Sequence, residues 1–172
     1  TMGFTPLEGL MMGSRSGSID PSILIHLMRE EGLTAEALDR LLNKESGLKG
    51  VSGVSSDMRQ IRAAIAAHHP LAKLALDLYV HRLRSLIGSM LVSLRGADAI
   101  VFTAGVGEND AALRVETCEA FEFLGWKVDT DKNQNHPVDQ DIATPTSTIR
   151  ILVIKTQEDW QIAQEAKRII ES

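Results

Sequence analysis

Two short apolar runs in the second half of the chain constrain its fold more than any other feature. Residues 99–102 and 149–154 are mainly aliphatic, and a segment with helical spacing follows each of them. Runs of this length are typical of strands in a parallel sheet that helices cover. The chain is therefore predicted to have an α/β layer architecture, in which only a few strands are visible.

The remaining pattern is mostly helical. Residues 1–20 are rich in turn formers without periodicity and are predicted to form a loop. Apolar residues at helical spacing predict a series of helices. Their expected starts are Pro21, Thr34, Asp57, Pro70 and Thr156, and one more helix follows the first strand, running through Leu113 and Leu124.

Three longer segments carry more specific expectations. Residues 47–56 are rich in Gly and Ser and are predicted to be a connection with little structure. The helix from Leu71 to Leu94 is apolar enough to be predicted as a central helix, buried on most sides. Residues 129–148 are polar and are predicted to form a surface loop with one or two short extended pieces.

Composition limits the classes of function. Lys and Arg number 18 against 23 Asp and Glu, and the net charge of −5 argues against nucleic acid as a partner. Charged residues interrupt every apolar stretch before about eighteen residues, so no transmembrane helix and no membrane partner is expected. The single Cys118 excludes an internal disulfide and a multi-cysteine metal site, which fits a reducing cytoplasm.

A glycine loop follows the first predicted strand, with Gly105 and Gly107 between Thr103 and Asn109. Backbone N–H groups at a strand-to-helix junction favour an anion, and glycine lets a ligand approach the main chain. The loop is not a Walker A motif, and Asp110 stands where the dinucleotide fingerprint needs its third glycine. A tight turn that needs glycine only for its backbone conformation explains the loop equally well.

Arg15 lies in a run of small residues between Gly13 and Gly17. A guanidinium on such a loop can approach a phosphoryl group closely and offers it a planar fork of donors. A solvated loop arginine is the ordinary alternative. Without further context, the residue types leave both interpretations open.

Two further segments combine capping residues with charged ones. Ser56 is predicted to cap the helix that Asp57 opens. Capping does not explain Arg59, whose positive charge lies near the positive end of the helix dipole and hints at an anionic ligand. Thr156 is predicted to cap the last helix. Glu158 follows the second strand, where a carboxylate can hold Mg²⁺ directly or through water, although a first-turn glutamate that only stabilises the dipole is an equal alternative.

The order of these segments resembles a known family. Residues 2–21, MGFTPLEGLMMGSRSGSIDP, closely resemble a signature of the acetate and butyrate kinases, and the glycine loop and terminal motif follow in the same order. The likeness extends over essentially all 172 residues. The chain is therefore identified as a member of this family.

The resemblance implies a fold and a reaction. The family is similar to the sugar kinase, heat-shock ATPase and actin superfamily, whose ribonuclease H-like, actin-like α/β lobes hold a nucleotide between them. The implied reaction is reversible transfer of the γ-phosphoryl group of ATP to acetate, which gives acetyl phosphate and ADP. The resemblance also implies Mg²⁺ as cofactor and a cytoplasmic homodimer. The alternatives are a kinase for butyrate or another short-chain carboxylate, and a nucleotide-binding module without catalysis.

The resemblance also implies roles for residues in the first half of the chain. Arg15 matches the arginine that steadies the transferring phosphoryl group, and Pro6 matches a wall of the pocket for the acetate methyl. Asp57, Met58 and Arg59 match the segment that borders the adenosine.

In the second half, two motifs match. The glycine loop that also holds the nucleotide is matched by Ala104, Gly105, Val106, Gly107 and Glu108. Glu158 matches the carboxylate associated with Mg²⁺.

Five positions depart from the family pattern, and they are Ser14, Ser18, Ala104, Lys155 and Trp160. Ala104 replaces the first glycine of the loop, where a methyl group would clash if the residue needs a positive φ or close contact with a ligand. The family's N-terminal catalytic groups have no counterpart here. We therefore expect residues 1–172 to be a C-terminal nucleotide-binding lobe without its N-terminal lobe, and to be inactive alone.

Overall fold

The structure is a computed structural model that describes residues 2–171. The chain divides into two compact units, of which the first ends at Arg95 and the second begins at Gly96. Residues 2–20 form turns and irregular backbone, as the sequence predicts.

The first unit is helical. Asp20, Thr34 and Asp57 each precede a helix and accept a hydrogen bond from a backbone N–H of its first turn. Its helices are α1 (Pro21–Glu30), α2 (Ala35–Lys44), α3 (Gly47–Ser52), α4 (Met58–Ala66) and α5 (Pro70–Leu94).

Two predictions for the first unit are wrong. The segment 47–56 was expected to have little structure, but α3 occupies its first half because the buried Leu48 anchors it and the N-terminal loop accepts its backbone hydrogen bonds. Ser56 was expected to cap the next helix, but Asp57 caps α4 with its carboxylate. A carboxylate one residue later satisfies the same N-terminal donors.

Helix α5 is buried on one side only, which contradicts the prediction of a helix buried on most sides. Its N-terminal half packs against α3 and α4 through the buried Ala72, Ala75, Leu76 and Val80. Beyond Val80 no described residue of α5 is buried, and Leu94 is 70% exposed. The spacing therefore identified an apolar helix, but not what covers it.

The second unit contains a three-stranded sheet of the order β1-β3-β2, where β1 is Ala99–Phe102, β2 is Gln140–Asp141 and β3 is Arg150–Val153. Strands β1 and β3 pair in parallel, and β2 pairs antiparallel to β3. The central β3 is the best buried, with Ile151 at 0% exposure, whereas Val101 of the edge strand is half exposed. Both strands predicted from the sequence are present, and the sheet is as thin as expected.

The second unit also contains helices. They are α6 (Ala104–Asn109), α7 (Ala111–Glu119), a 3-10 helix (Glu122–Leu124), α8 (Thr130–Gln134) and α9 (Glu158–Ile170). The predicted glycine loop is thus itself a short helix, α6. The polar segment 129–148 contains α8 as well as the extended piece β2, so the prediction of a loop there is only partly right.

The buried core of the second unit includes residues of β3, of α7 and of the segments that follow α7. Phe121 and Trp126 stack with ring centroids 4.5 Å apart, and Ile142, Ile151 and Val153 are almost fully buried. Cys118 belongs to this core, as predicted, and burial raises the pKa of its thiol to about 12. A buried thiol with a raised pKa is expected to stay protonated at neutral pH.

Helix α9 has an apolar face that nothing in the described chain covers. Each of its residues is exposed, including Trp160 at 61% and Ile170 at 84%. Among residues 2–171, no helix is both long and apolar enough to cross a membrane.

Candidate functional site

The predicted site residues fall into two groups, one in each unit. Pro6, Arg15 and residues 57–59 belong to the first unit, and residues 104–108 and Glu158 belong to the second. Each group is described within its own unit.

The parallel pairing of β1 and β3 brings the two motifs of the second unit together. Phe102 lies opposite Val153 at the carboxyl ends of these strands, so the segments that begin α6 and α9 leave the sheet at the same edge. Ligands of open α/β sheets bind at this edge. The structure thus places Ala104 and Glu158 after neighbouring strand ends, as their sequence positions suggest.

The carboxylate of Glu108 links these two segments. Its Oε1 accepts hydrogen bonds from the Ala104 N–H at 2.8 Å, the Thr156 N–H at 2.9 Å and the Thr156 hydroxyl at 3.1 Å. The bond from the Thr156 N–H is the main cause that lowers the pKa of Glu108 below its ordinary value. Thr156 donates to Glu108 and does not cap α9, so the prediction that Thr156 caps the last helix is wrong.

Ala104 adopts the left-handed backbone conformation, with φ +59°. The doubt that the sequence raises about an alanine at the first glycine position of the loop is therefore justified, since the left-handed region costs alanine about 1–2 kcal/mol.

The two glycines of α6 have different requirements. A Cβ at Gly107 would lie 3.3 Å from the Phe102 carbonyl carbon, so the close passage of the strand explains this glycine. A Cβ at Gly105 would meet nothing within 4 Å, and its φ is not positive. The fold therefore gives no reason for glycine at position 105.

A buried arginine holds the other end of α6. Arg114, only 1% exposed, donates from one terminal nitrogen to the carbonyls of Gly107 and Glu108, both at 2.8 Å. Its Nε donates to Asn133 Oδ1 at 2.6 Å, and Asn133 donates in turn to the Ala111 carbonyl at 2.8 Å. Burial lowers the pKa of Arg114, but arginine keeps its charge.

Sequence reasoning missed Arg114, Asn133 and Thr156 as parts of this arrangement. Arg114 follows the buried Leu113 and precedes Cys118 by four residues, so helical spacing points its charge toward the core side of α7. That is the one signal in the sequence that was available for it. Asn133 gave none, because its role depends on a helix that was not predicted.

Glu158 lies in the first turn of α9 and is exposed. No hydrogen bond or ion pair engages its carboxylate within residues 2–171. Its oxygens are therefore available to a ligand.

In the first unit, backbone hydrogen bonds hold the loop that carries Arg15. The carbonyls of Met12 and Gly13 accept from the N-terminal N–H groups of α3 at 3.0 and 2.9 Å. A Cβ at Gly13 would lie 2.6 Å from the Ser56 carbonyl oxygen, so this glycine allows the loop to touch the start of α4. The structure thus brings the Arg15 loop beside the segment 57–59.

The guanidinium of Arg15 has no acidic partner in the described part of the chain. Its single hydrogen bond runs from one terminal nitrogen to the Met12 sulfur at 3.9 Å. Its Nε is buried without any partner. Buried polar nitrogens are nearly always hydrogen-bonded in folded proteins, so this group indicates an absent acceptor.

Arg59 has an internal anion. It binds the Asp57 carboxylate with a shortest nitrogen-to-oxygen distance of 2.6 Å, and this side-chain hydrogen bond is the main cause that lowers the pKa of Asp57. The position of Arg59 near the start of α4 therefore no longer hints at an external anion, because the Asp57 carboxylate supplies one.

The other predicted site residues differ in their burial. The Met58 side chain is buried in the core of the first unit, whereas Pro6 and Val106 are half-buried. Their assigned roles remain predictions.

Ala104→Gly is expected to stabilise the folded chain by about 0.5–1 kcal/mol, because glycine removes the strain of the left-handed conformation. The larger conformational entropy of glycine in the unfolded chain offsets part of this stabilisation. Urea unfolding measures the change. Ala112→Gly in the first turn of α7, where the backbone is helical, is the matched control and should destabilise. Loss of stability in both variants would contradict a left-handed Ala104.

Comparisons with known proteins agree on one family. The model of the acetokinase family matches residues 1–164. The chain is 62% identical to acetate kinase from Cyanothece sp. and 64% identical to acetate kinase from Nostoc punctiforme, in each case covering 100% of this chain and 42% of the relative. It thus spans less than half the length of these relatives.

Solved structures give the same result. Acetate kinase from Porphyromonas gingivalis matches with a TM-score of 0.90 and 41% identity, over 98% of this chain and 42% of that one. A propionate kinase from Francisella tularensis matches with a TM-score of 0.87 and 40% identity, over 95% of this chain and 42% of that one. The predicted α/β fold of the actin-like ATPase superfamily is confirmed, and the chain belongs to the acetokinase family.

Proposed function

We propose that this chain supplies the nucleotide-binding and phosphoryl-binding groups of an acetate kinase. In the proposed reaction a carboxylate oxygen of acetate attacks the γ-phosphorus of ATP, the bond from that phosphorus to the bridging oxygen breaks, and ADP and acetyl phosphate result. Such transfers depend mainly on positioning and on stabilisation of the charged phosphoryl oxygens.

The unpaired guanidinium of Arg15 is the observation that carries this proposal. A partly buried cation with an unpartnered Nε is suited to a phosphoryl group, which offers several acceptor oxygens. A module that only binds the adenosine part of a nucleotide has no evident use for such a group. This favours a kinase over the non-catalytic alternative.

The second unit supplies the proposed nucleotide loop. Glycine at position 105 has no structural reason in the chain, but it leaves main-chain surface and space above α6 open to a ligand. We assign Ala104–Glu108 to the nucleotide and Asp57–Arg59 to the border of the adenosine, and Pro6 to the acetate pocket, as the family resemblance implies.

Glu158 is the residue that we assign to Mg²⁺. An exposed, unengaged carboxylate fits this ion, which proteins often hold through one or two carboxylates together with phosphates and waters. The described residues contain no cluster of three or more His, Cys, Asp or Glu that could hold a metal, so the phosphates and waters would complete the coordination. When bound, Mg²⁺ neutralises charge on the phosphates.

The remaining assignments follow the same resemblance. We propose a cytoplasmic homodimer that acts on ATP and acetate, with residues 1–172 as its C-terminal lobe. A kinase for propionate or butyrate is the second candidate, since a propionate kinase is among the similar structures. Rates with acetate, propionate and butyrate on an intact protein would separate the two, because one methylene changes discrimination by about 1–3 kcal/mol.

Gly105→Ala is expected to weaken ADP binding by about tenfold or more, because the new methyl group occupies space that the nucleotide needs. It should not destabilise the fold, since the position is helical and open. Gly88→Ala in α5 is the matched control, as a Cβ there also meets nothing. Titration calorimetry measures both, and equal affinities in the two variants would contradict the nucleotide assignment.

Arg15→Ala is expected to weaken binding of acetyl phosphate by roughly tenfold to a hundredfold, the range for a lost hydrogen bond to a charged group. Arg29→Ala, an exposed arginine of α1, is the control and should leave the affinity unchanged. Equal effects of the two substitutions would show that Arg15 contributes only general charge.

The 172-residue chain by itself is expected to form no acetyl phosphate from ATP, Mg²⁺ and acetate. It spans 42% of the length of the acetate kinase from Cyanothece sp., and the family resemblance assigns further catalytic groups to positions without a counterpart in it. Trapping of the product with hydroxylamine measures the rate, with an intact acetate kinase as the positive control. A normal rate from this chain would overturn the division of groups proposed here.

A further inference from the structure

Helix α6 has few interactions of its own to hold its position. It is six residues long, none of them is buried, and Thr103 provides no side-chain cap. Its first residue is in a strained backbone conformation. Side chains outside the ordinary helix contacts must therefore fix it.

Glu108 provides the link at the N-terminal end. Its side chain reaches back along α6 to the Ala104 N–H and at the same time accepts both hydrogen bonds from Thr156. The last bond of the sheet on this side runs from the Ile154 N–H to the Phe102 carbonyl. Beyond it, within the described chain, the only hydrogen bonds between residues 103–109 and 155–158 are those to Glu108.

We propose that Glu108 is a positioning residue that locks the glycine-loop helix to the segment carrying Glu158, so that the groups for the nucleotide and for Mg²⁺ move as one body. This inference rests on the function proposed above. It changes the role that the resemblance gave to Glu108, because the oxygen that makes these bonds faces the protein rather than a ligand.

The chemistry of the bonds suits such a lock. Hydrogen bonds to a carboxylate are roughly twice as strong as those between neutral groups. The Thr156 hydroxyl bonds to Glu108 instead of capping α9, and no described side chain caps that helix. A purely local cap of α6 would need the Ala104 bond alone, whereas two of the three bonds reach a segment 48 residues away.

The test compares five variants, of which the last is a charge control, with the unaltered chain. Glu108→Ala removes the lock, Glu108→Gln keeps an acceptor but loses the charge, and Thr156→Val removes only the hydroxyl bond. Thr156→Ser keeps that hydroxyl and should give the same results as the unaltered chain. Glu122→Gln, an exposed glutamate of the same unit, controls for the loss of one charge.

Two measurements are made on each variant. The first is amide hydrogen exchange at Ala104 and Thr156, which reports local opening of each segment. The second is the ADP affinity with Mg²⁺ and with chelator, whose ratio reports how strongly the metal promotes nucleotide binding.

We expect Glu108→Ala to raise exchange at both amides by about tenfold or more and to reduce the effect of Mg²⁺ on ADP affinity toward none. Glu108→Gln and Thr156→Val should give smaller changes in the same direction, which remain readable if the alanine variant does not fold. An increase at Ala104 alone, or an unchanged Mg²⁺ effect despite faster exchange at both sites, would overturn the proposal.

The two proposals fail in distinguishable ways. If the unaltered chain does not bind ADP, the nucleotide assignment for this chain is wrong. The lock is then tested by hydrogen exchange alone. Faster exchange at both Ala104 and Thr156 supports the lock, and faster exchange at only one of them rejects it.

Discussion

The parallel pairing of β1 with β3 is the constraint on which the second unit depends. Parallel neighbours end at the same edge of a sheet, so two segments that are far apart in sequence leave it side by side. This is why one carboxylate, that of Glu108, can accept hydrogen bonds from both. Without the pairing, the glycine loop and Glu158 would be unrelated pieces of the chain.

Helix α6 shows how a weak element is held by its surroundings. The Glu108 carboxylate accepts a hydrogen bond from the N–H of Ala104, the first residue of α6. Arg114 donates to the carbonyls of Gly107 and Glu108 near the end of the helix. Arg114 is buried, and the free-energy cost of removing its charge from water is offset by four hydrogen bonds to carbonyl and amide oxygens. The predicted glycine loop is thus a short helix with hydrogen bonds at both ends, although its sequence is typical of a tight turn.

Apolar faces explain where the sequence-based fold prediction succeeded and where it failed. The sequence pattern located the starts of α1, α2 and α5 and the bounds of the two longer strands closely, because spacing and capping residues are local properties. It overestimated the burial of α5, since spacing defines which face is apolar but not which partner covers it. It missed α3 and α8, which are short and depend on backbone and side-chain bonds to distant loops.

The sequence by itself determined the family, the α/β class and the identity of the candidate groups, because the motif order and the strand-to-helix pattern are written in neighbouring residues. Only the tertiary structure decided what several of those groups do. It paired Arg59 with Asp57, turned Glu108 toward Thr156 and left the Arg15 Nε without a partner in the described chain. It also brought Arg114, which the sequence had not singled out, to the carbonyls of Gly107 and Glu108. Hydrogen bonds form between groups that the fold brings within about 3 Å, and that proximity is not encoded in local spacing.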